Sequence, residues 1–251
     1  MISCILAFYI AVPGPPAVPG RPPAVPSRAH AAAQDENADA LYAKREDLDS
    51  ARRAERVWQS RLTGNPQDFE SAWKLARARY WIGGHTGADA RQVLEAGIAA
   101  ARTASALRPD RPEGHFWMAA NMGALAESFG LRQGIRYRGP IKDALLTVLR
   151  LDPAFQQGSA DRALGRWYLK VPRLFGGSKD KSVEHLKQSL TYDPTSLASL
   201  YFLAETYLEM DRKNEARQQA QKVLDGPIHP DWAPEDREFK QKAKALLERL
   251  R

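Results

Sequence analysis

Apolar positions recur along this chain at helical spacing, most clearly near the C-terminal end. Leu200, Leu203, Ala204 and Tyr207 share one face of a predicted helix, and Ala216, Ala220 and Val223 share one face of the next. Pro227 stops the pair. Large and small residues at these offsets describe two antiparallel helices that interlock. No run of alternating apolar and polar residues is long enough for a strand after Gln34.

The same unit is found upstream by working from prolines. Pro66, Pro109, Pro153, Pro194 and Pro227 stand 43, 44, 41 and 33 residues apart. Ala54, Trp58 and Leu62 precede the first of them; Ile141, Leu145 and Val148 precede Pro153; Ser182, Leu186 and Ser189 precede Pro194. Each set is one face of a second helix. First helices follow: Ala72, Leu75 and Ala76; then His115, Met118, Ala119 and Met122; then Ala160, Ala163, Leu164 and Trp167. A proline ends one helix and presets the backbone for the next, and the Asp before Pro153 and Pro194 can cap it.

A period near 34 residues with this spacing is that of a tetratricopeptide repeat. The predicted fold is all-α: a right-handed solenoid of about four to five such helix pairs, with extended inter-helix loops. A C-terminal capping helix over 235–250 carries Phe239, Ala243, Leu246 and Leu247, and its charged outer face is expected to be solvated. The excess length falls between the first and second helices, at 83–87, 130–140 and 171–177, whereas Met210-Asp211 turns tightly. These loops are expected on one edge, where repeat proteins often place a binding surface.

Residues 1–34 form a separate segment before a single repeat domain over 35–251. Residues 2–12 are an apolar run too short to span a bilayer but suited to a signal-peptide core, and 29–33 offers small-residue cleavage sites. Export to the periplasm is the expectation, with a cytoplasmic chain behind a Pro/Ala-rich tail as the alternative. The one cysteine, Cys4, excludes a disulfide framework. The net charge of +7 over 251 residues is dispersed and carries no nucleic-acid signature.

Candidate binding residues come from the second and third loops and from first-helix faces. Arg132, Arg136, Arg138 and Lys142 place four cations within eleven residues, with no acid before Asp143; they suit an anion or an acidic partner. The alternative is a solvated basic loop. Phe175, beside Leu174, is an apolar loop residue that can contact a partner or tuck back over the helix ends. Counting one position past the buried series puts Phe116, Tyr168, Tyr201 and Glu205 on the concave face. The histidines His85, His115, His185 and His229 have no metal-ligand spacing, and nothing assembles a nucleophile with a base. No cofactor, no metal and no catalysis are expected.

Two phrases resemble a known family. Arg162-Ala163-Leu164-Gly165-Arg166-Trp167-Tyr168 and Phe175-Gly176-Gly177-Ser178-Lys179-Asp180-Lys181, between Asp152-Pro153 and Asp193-Pro194, are similar to the T component of tripartite ATP-independent periplasmic (TRAP) transporters. The resemblance covers about Pro66 to Val223. It implies a periplasmic, non-enzymatic repeat protein that forms oligomers. Such a protein docks a transporter substrate-binding protein or holds a small organic or hydrophobic ligand. Members are often lipoproteins, but here Cys4 lies at the start of the apolar run instead of following it. The alternative is a generic protein–protein interaction scaffold without a small-molecule ligand.

Overall fold

Short polar residues set the starts of several helices. Asn37, Asp47, Asp68, Ser178 and Ser196 each accept a hydrogen bond from a backbone N–H of the first turn, satisfying groups that the helix itself leaves unpaired. The computed structural model describes residues 37–250. Cys4, the apolar run and the Ala-rich cleavage sites lie outside the described residues.

The elements in order are α1 (Ala38–Ala43), α2 (Leu48–Gly64), α3 (Phe69–His85), α4 (Ala90–Leu107), α5 (Pro112–Ser128) and α6 (Leu131–Leu151). Then come α7 (Ser159–Lys170), α8 (Lys179–Tyr192), α9 (Leu197–Glu209), α10 (Lys213–Asp225) and α11 (Ala233–Arg249). No strand occurs among the described residues. Successive helices pack in pairs, and each first helix (α3, α5, α7, α9) also touches the first helix of the next pair. This is the predicted all-α helix-pair solenoid.

The three expected loops fare differently. Gly83, Gly84 and His85 belong to α3, because Gly83 is packed so closely on α4 that a Cβ there would stand 2.5 Å from Leu94 Cγ. The stretch 130–140 is not a loop. All but Gly130 is the first half of α6. Tyr137 lies four residues before Ile141, so it extends the buried stripe of Ile141, Leu145 and Val148 by one turn, and Gln133 extends it again. Burial of that stripe outweighs the N–H that Pro140 lacks inside the helix. Only the third loop is long. It runs from Val171 to Ser178 around a 3₁₀ turn at Arg173–Phe175 and ends at Gly176, whose φ of 99° suits glycine.

The interior divides into two apolar cores. The first runs from Ala38 to Tyr168 and is rich in rings, including Trp58, Trp81, Phe116, Trp117 and Trp167. The second runs from Val183 to Leu250 and is built from smaller side chains. Between α8 and α9, two hydroxyl pairs at 2.9 Å, Ser182 with Thr206 and Ser189 with Ser199, satisfy fully buried polar groups.

Candidate functional site: a central cavity closed by the last helix

The predicted capping helix does more than shield the end of the stack. Asp231, Glu235, Arg237 and Glu238, in or just before α11, reach back to the chain's first described turns. Arg45, in the α1–α2 turn, is 4% exposed; its Nε donates to Glu235 Oε1 at 3.0 Å and its Nη2 to the Asp231 carbonyl at 2.9 Å. Arg237 Nε donates to Glu46 Oε1 at 2.7 Å. His85 Nε2 lies 2.6 Å from Glu238 Oε1, and its Nδ1 lies 2.7 Å from the Trp81 carbonyl. Both ring nitrogens therefore face acceptors, an arrangement that only the doubly protonated imidazolium satisfies in full. The Glu238 hydrogen bond holds the His85 pKa above its ordinary value near 6.5.

This closure turns the concave face into a cavity of about 1120 Å³. Its wall comes from side chains one turn apart on successive first helices: Ala120 and Ala124 on α5, Arg162 and Arg166 on α7, Ala198 and Phe202 on α9. The small residues on α5 leave the space, and Tyr80, Trp81, Phe116, Trp117 and Phe239 supply apolar surface. Tyr80 is 38% exposed, and that exposure looks into the cavity. Burial raises its phenol above the ordinary tyrosine value.

A charged band crosses the first helices. Arg166 donates to both carboxylate oxygens of Glu127 on α5, at 2.7 and 2.6 Å, and to Glu205 on α9 at 3.0 Å. Lys170 donates to the other Glu205 oxygen at 2.7 Å. Burial alone would raise the Glu205 carboxyl, but Arg166 and Lys170 together hold it below the usual range. Glu205 is thus a tie between α7 and α9 and does not line the cavity.

The other predicted residues separate into three groups. Phe116, Arg138 and Phe175 line the cavity, with Arg138 resting 5.0 Å over the Phe175 ring. Tyr168 stacks on His185 at 5.3 Å within the α7–α8 contact, and Tyr201 packs on Phe239 at 5.6 Å, so Phe202 takes the cavity position beside it. Both differ from the expected concave placement because the register is displaced by one residue. Arg132 and Arg136 are exposed on α6, and Lys142 lies 5.1 and 5.2 Å over the rings of Trp167 and Tyr168. The four cations therefore do not form one anion site; helix geometry distributes them around α6.

The cavity residues missed from sequence are Arg162 and Arg166, the Gln156-Gln157 pair, and the acids of α11. Arg162, Arg166 and Lys170 do carry a signal, three cations at i, i+4 and i+8 on a first helix. The closure has none, because it joins residues about 190 positions apart. Among the described residues no cluster of three or more His, Cys, Asp or Glu is placed to hold a metal ion, and no helix is long and apolar enough to cross a membrane.

Comparison with known proteins follows the same lines. A thermophilic TPR protein of Thermus thermophilus superposes with a TM-score of 0.64 at 25% identity, over 84% of this chain and 95% of that one. The MamA protein gives 0.50 at 18% identity, over 85% and 94%, and shows the fold alone. No curated protein matches. Nothing found supports the transporter T component that the loop phrases resemble. The family model that matches covers residues 35–175, the span of the ring-rich first core, so the chain belongs to the family described as regulator of microtubule dynamics protein 1-3.

Proposed function

We propose that this chain is a non-enzymatic protein-interaction scaffold that takes an extended polypeptide segment of a partner into its central cavity. The observation that carries this reading is the cavity itself. At about 1120 Å³ it exceeds the usual small-molecule range of roughly 300–1,000 Å³, and its apolar wall is interrupted by a few fixed polar groups. The similarity to TPR-fold proteins supports a scaffold, and the family description, which names regulation of microtubule dynamics, supports a protein as the partner.

A photoreactive amino acid at Ala124, on the cavity wall, is expected to give polypeptide adducts in cells, whereas the same group at exposed Arg150 gives none of them. Adducts confined to non-peptide molecules, or equal labelling from both positions, would overturn the reading. Export is a separate proposal supported by the apolar run at 2–12. Fusion of residues 1–40 to alkaline phosphatase tests it, and an inactive fusion rejects it.

A further inference from the structure

Three exposed large apolar side chains, Ile135, Leu174 and Phe175, gather where the start of α6 meets the 171–178 loop. Ile135 and Arg138 share a face of α6, and Arg138 rests 5.0 Å over the Phe175 ring. The Trp167 Nε1–H donates to the Arg138 carbonyl at 2.9 Å, which ties α6 to the end of α7 where the loop departs. Leu174 is 87% exposed, against 44% for Ile135 and 38% for Phe175. The loop that carries it is closed at its base. The Gly177 N–H donates to the Pro172 carbonyl at 3.2 Å and the Ser178 N–H to the Tyr168 carbonyl at 2.9 Å. A Cβ on Gly177 would stand 1.7 Å from the Val171 carbonyl oxygen, so the two strands of the loop touch there. A loop fixed in this way projects a leucine into water, where its apolar surface gains nothing until something covers it.

The surroundings of that tip carry charge of one sign. No Asp or Glu occurs over 128–142 or over 162–179. Arg132, Arg136 and Arg173 are exposed and have no ion-pair partner among the described residues. Glu127, Glu205 and Glu209, on the first helices, are held by Arg166, Lys170 and Lys179. The three free arginines are spread over a helix and a loop, so they converge on no single phosphate or carboxylate. An anionic bilayer asks for no convergence, because it presents headgroups over an area. A projecting leucine suits the same partner: it enters the boundary between headgroups and acyl chains, whereas a protein would need a pocket shaped to receive it.

We infer that the start of α6 and the 171–178 loop form a docking surface for an anionic membrane. Leu174 and Phe175 enter the interface, and Arg132, Arg136 and Arg173 lie against the headgroups. The contact is peripheral, since no described helix is long and apolar enough to cross a membrane. It does not depend on what the cavity takes, so this assignment and the peptide reading can fail separately.

The test is sedimentation of the full chain with vesicles of phosphatidylcholine, alone or mixed with phosphatidylserine. The mixed vesicles are expected to bind more strongly, and salt to weaken that preference. Replacing Arg132, Arg136 and Arg173 together by Gln is expected to lower the partition about a hundredfold, or about fivefold for each cation. Leu174→Gln is expected to lower it several-fold without changing the salt dependence. These exposed side chains hold nothing else in the fold, so circular dichroism and the unfolding midpoint should be unchanged. The apolar run at 2–12 is a separate route to vesicles, and a polarity-sensitive probe distinguishes it. In a Cys4→Ser background, a probe attached through Leu174→Cys is expected to shift to the blue on mixed vesicles. The same probe attached through Arg150→Cys, at the other end of α6, is expected to stay unshifted. Equal binding to both kinds of vesicle, a partition that survives the triple substitution, or equal shifts at the two probes overturns the membrane surface. Retention on polyglutamate that the triple substitution abolishes, with no binding to vesicles, gives the patch to an acidic protein and overturns it too.

Discussion

The two cores of this molecule meet at two seams, and the seams are built differently. At α7–α8, Gly165 lets the helices approach until a Cβ would stand 2.5 Å from Leu186 Cγ. Tyr168 stacks on His185, and His185 lies 2.7 Å from Asp161. At the closure, α11 and the N-terminal helices α1–α3 belong to different apolar cores among the described residues. Arg45, Glu46 and His85 hold Glu235, Arg237 and Glu238 instead. Packing at the first seam depends on shape and persists in salt. The second depends on charge, so ionic strength and pH act on it. Covalent chain connection runs through the first seam, while the second supplies His85, Glu235 and Glu238 to the cavity lining.

The largest effect expected from breaking this comparison lies at the packed seam. Leu186→Ala removes a fully buried side chain and should cost about 2–5 kcal/mol in denaturant unfolding. Arg45→Ala removes the buried half of the closure. It should cost about 2 kcal/mol, and amide exchange in α11 should accelerate while that in α7 does not. If α7 and α11 accelerate together, the seams are not separate.

The next effect is the pH dependence of the closure. His85 is raised above 6.5 by Glu238, so its contribution is complete below that value and is lost as pH rises through the raised pKa. Glu238 is lowered from 4.5 by the same bond, so its contribution is present above 4.5 and is lost as pH falls through the lowered pKa. Between 4.5 and 6.5 both contributions are intact. Protection of the α11 amides, taken as exchange relative to the intrinsic rate at each pH, should therefore be greatest there and should fall toward alkaline pH, and His85→Gln should remove the fall. The smallest effect is that of Arg237→Ala at the exposed Glu46 pair. The unfolding midpoint should stay within error, with only a weaker dependence of α11 exchange on salt.

Much of the fold was legible because repeat packing is local. The buried stripes of α9 and α10 fall where their spacing places them, since each helix packs mainly on its chain neighbours; on α5 only Ala119 and Met122 of the four expected residues are buried. The loop reading at 130–140 failed because Gly134, Gly139 and Pro140 signal a break, while the stripe of Tyr137 and Ile141, which favours helix, becomes decisive only once α5 is there to cover it. Of the candidate site, Phe116 was legible as a concave-face residue, whereas Arg138 and Phe175, read as loop residues, also line the cavity. Tyr168 and Tyr201 were displaced by a register that only packing fixes, and Arg162 was read as part of a family phrase and not as an unpaired cation.

The sequence by itself determined the helix pairs, their order and the positions of the prolines between them, because a 3.6-residue period and a cap are properties of short stretches. Only the tertiary structure decided that the solenoid closes and that the Arg162 side chain has no bonding partner among the described residues. Closure depends on small rotations accumulated over eleven helices until Glu235 reaches Arg45, and no single repeat encodes that sum. Whether a guanidinium is paired depends on which acids the neighbouring helices bring within bonding distance. Arg166 and Arg162 are the same residue one turn apart, and the fold gives carboxylates to one and an open cavity to the other.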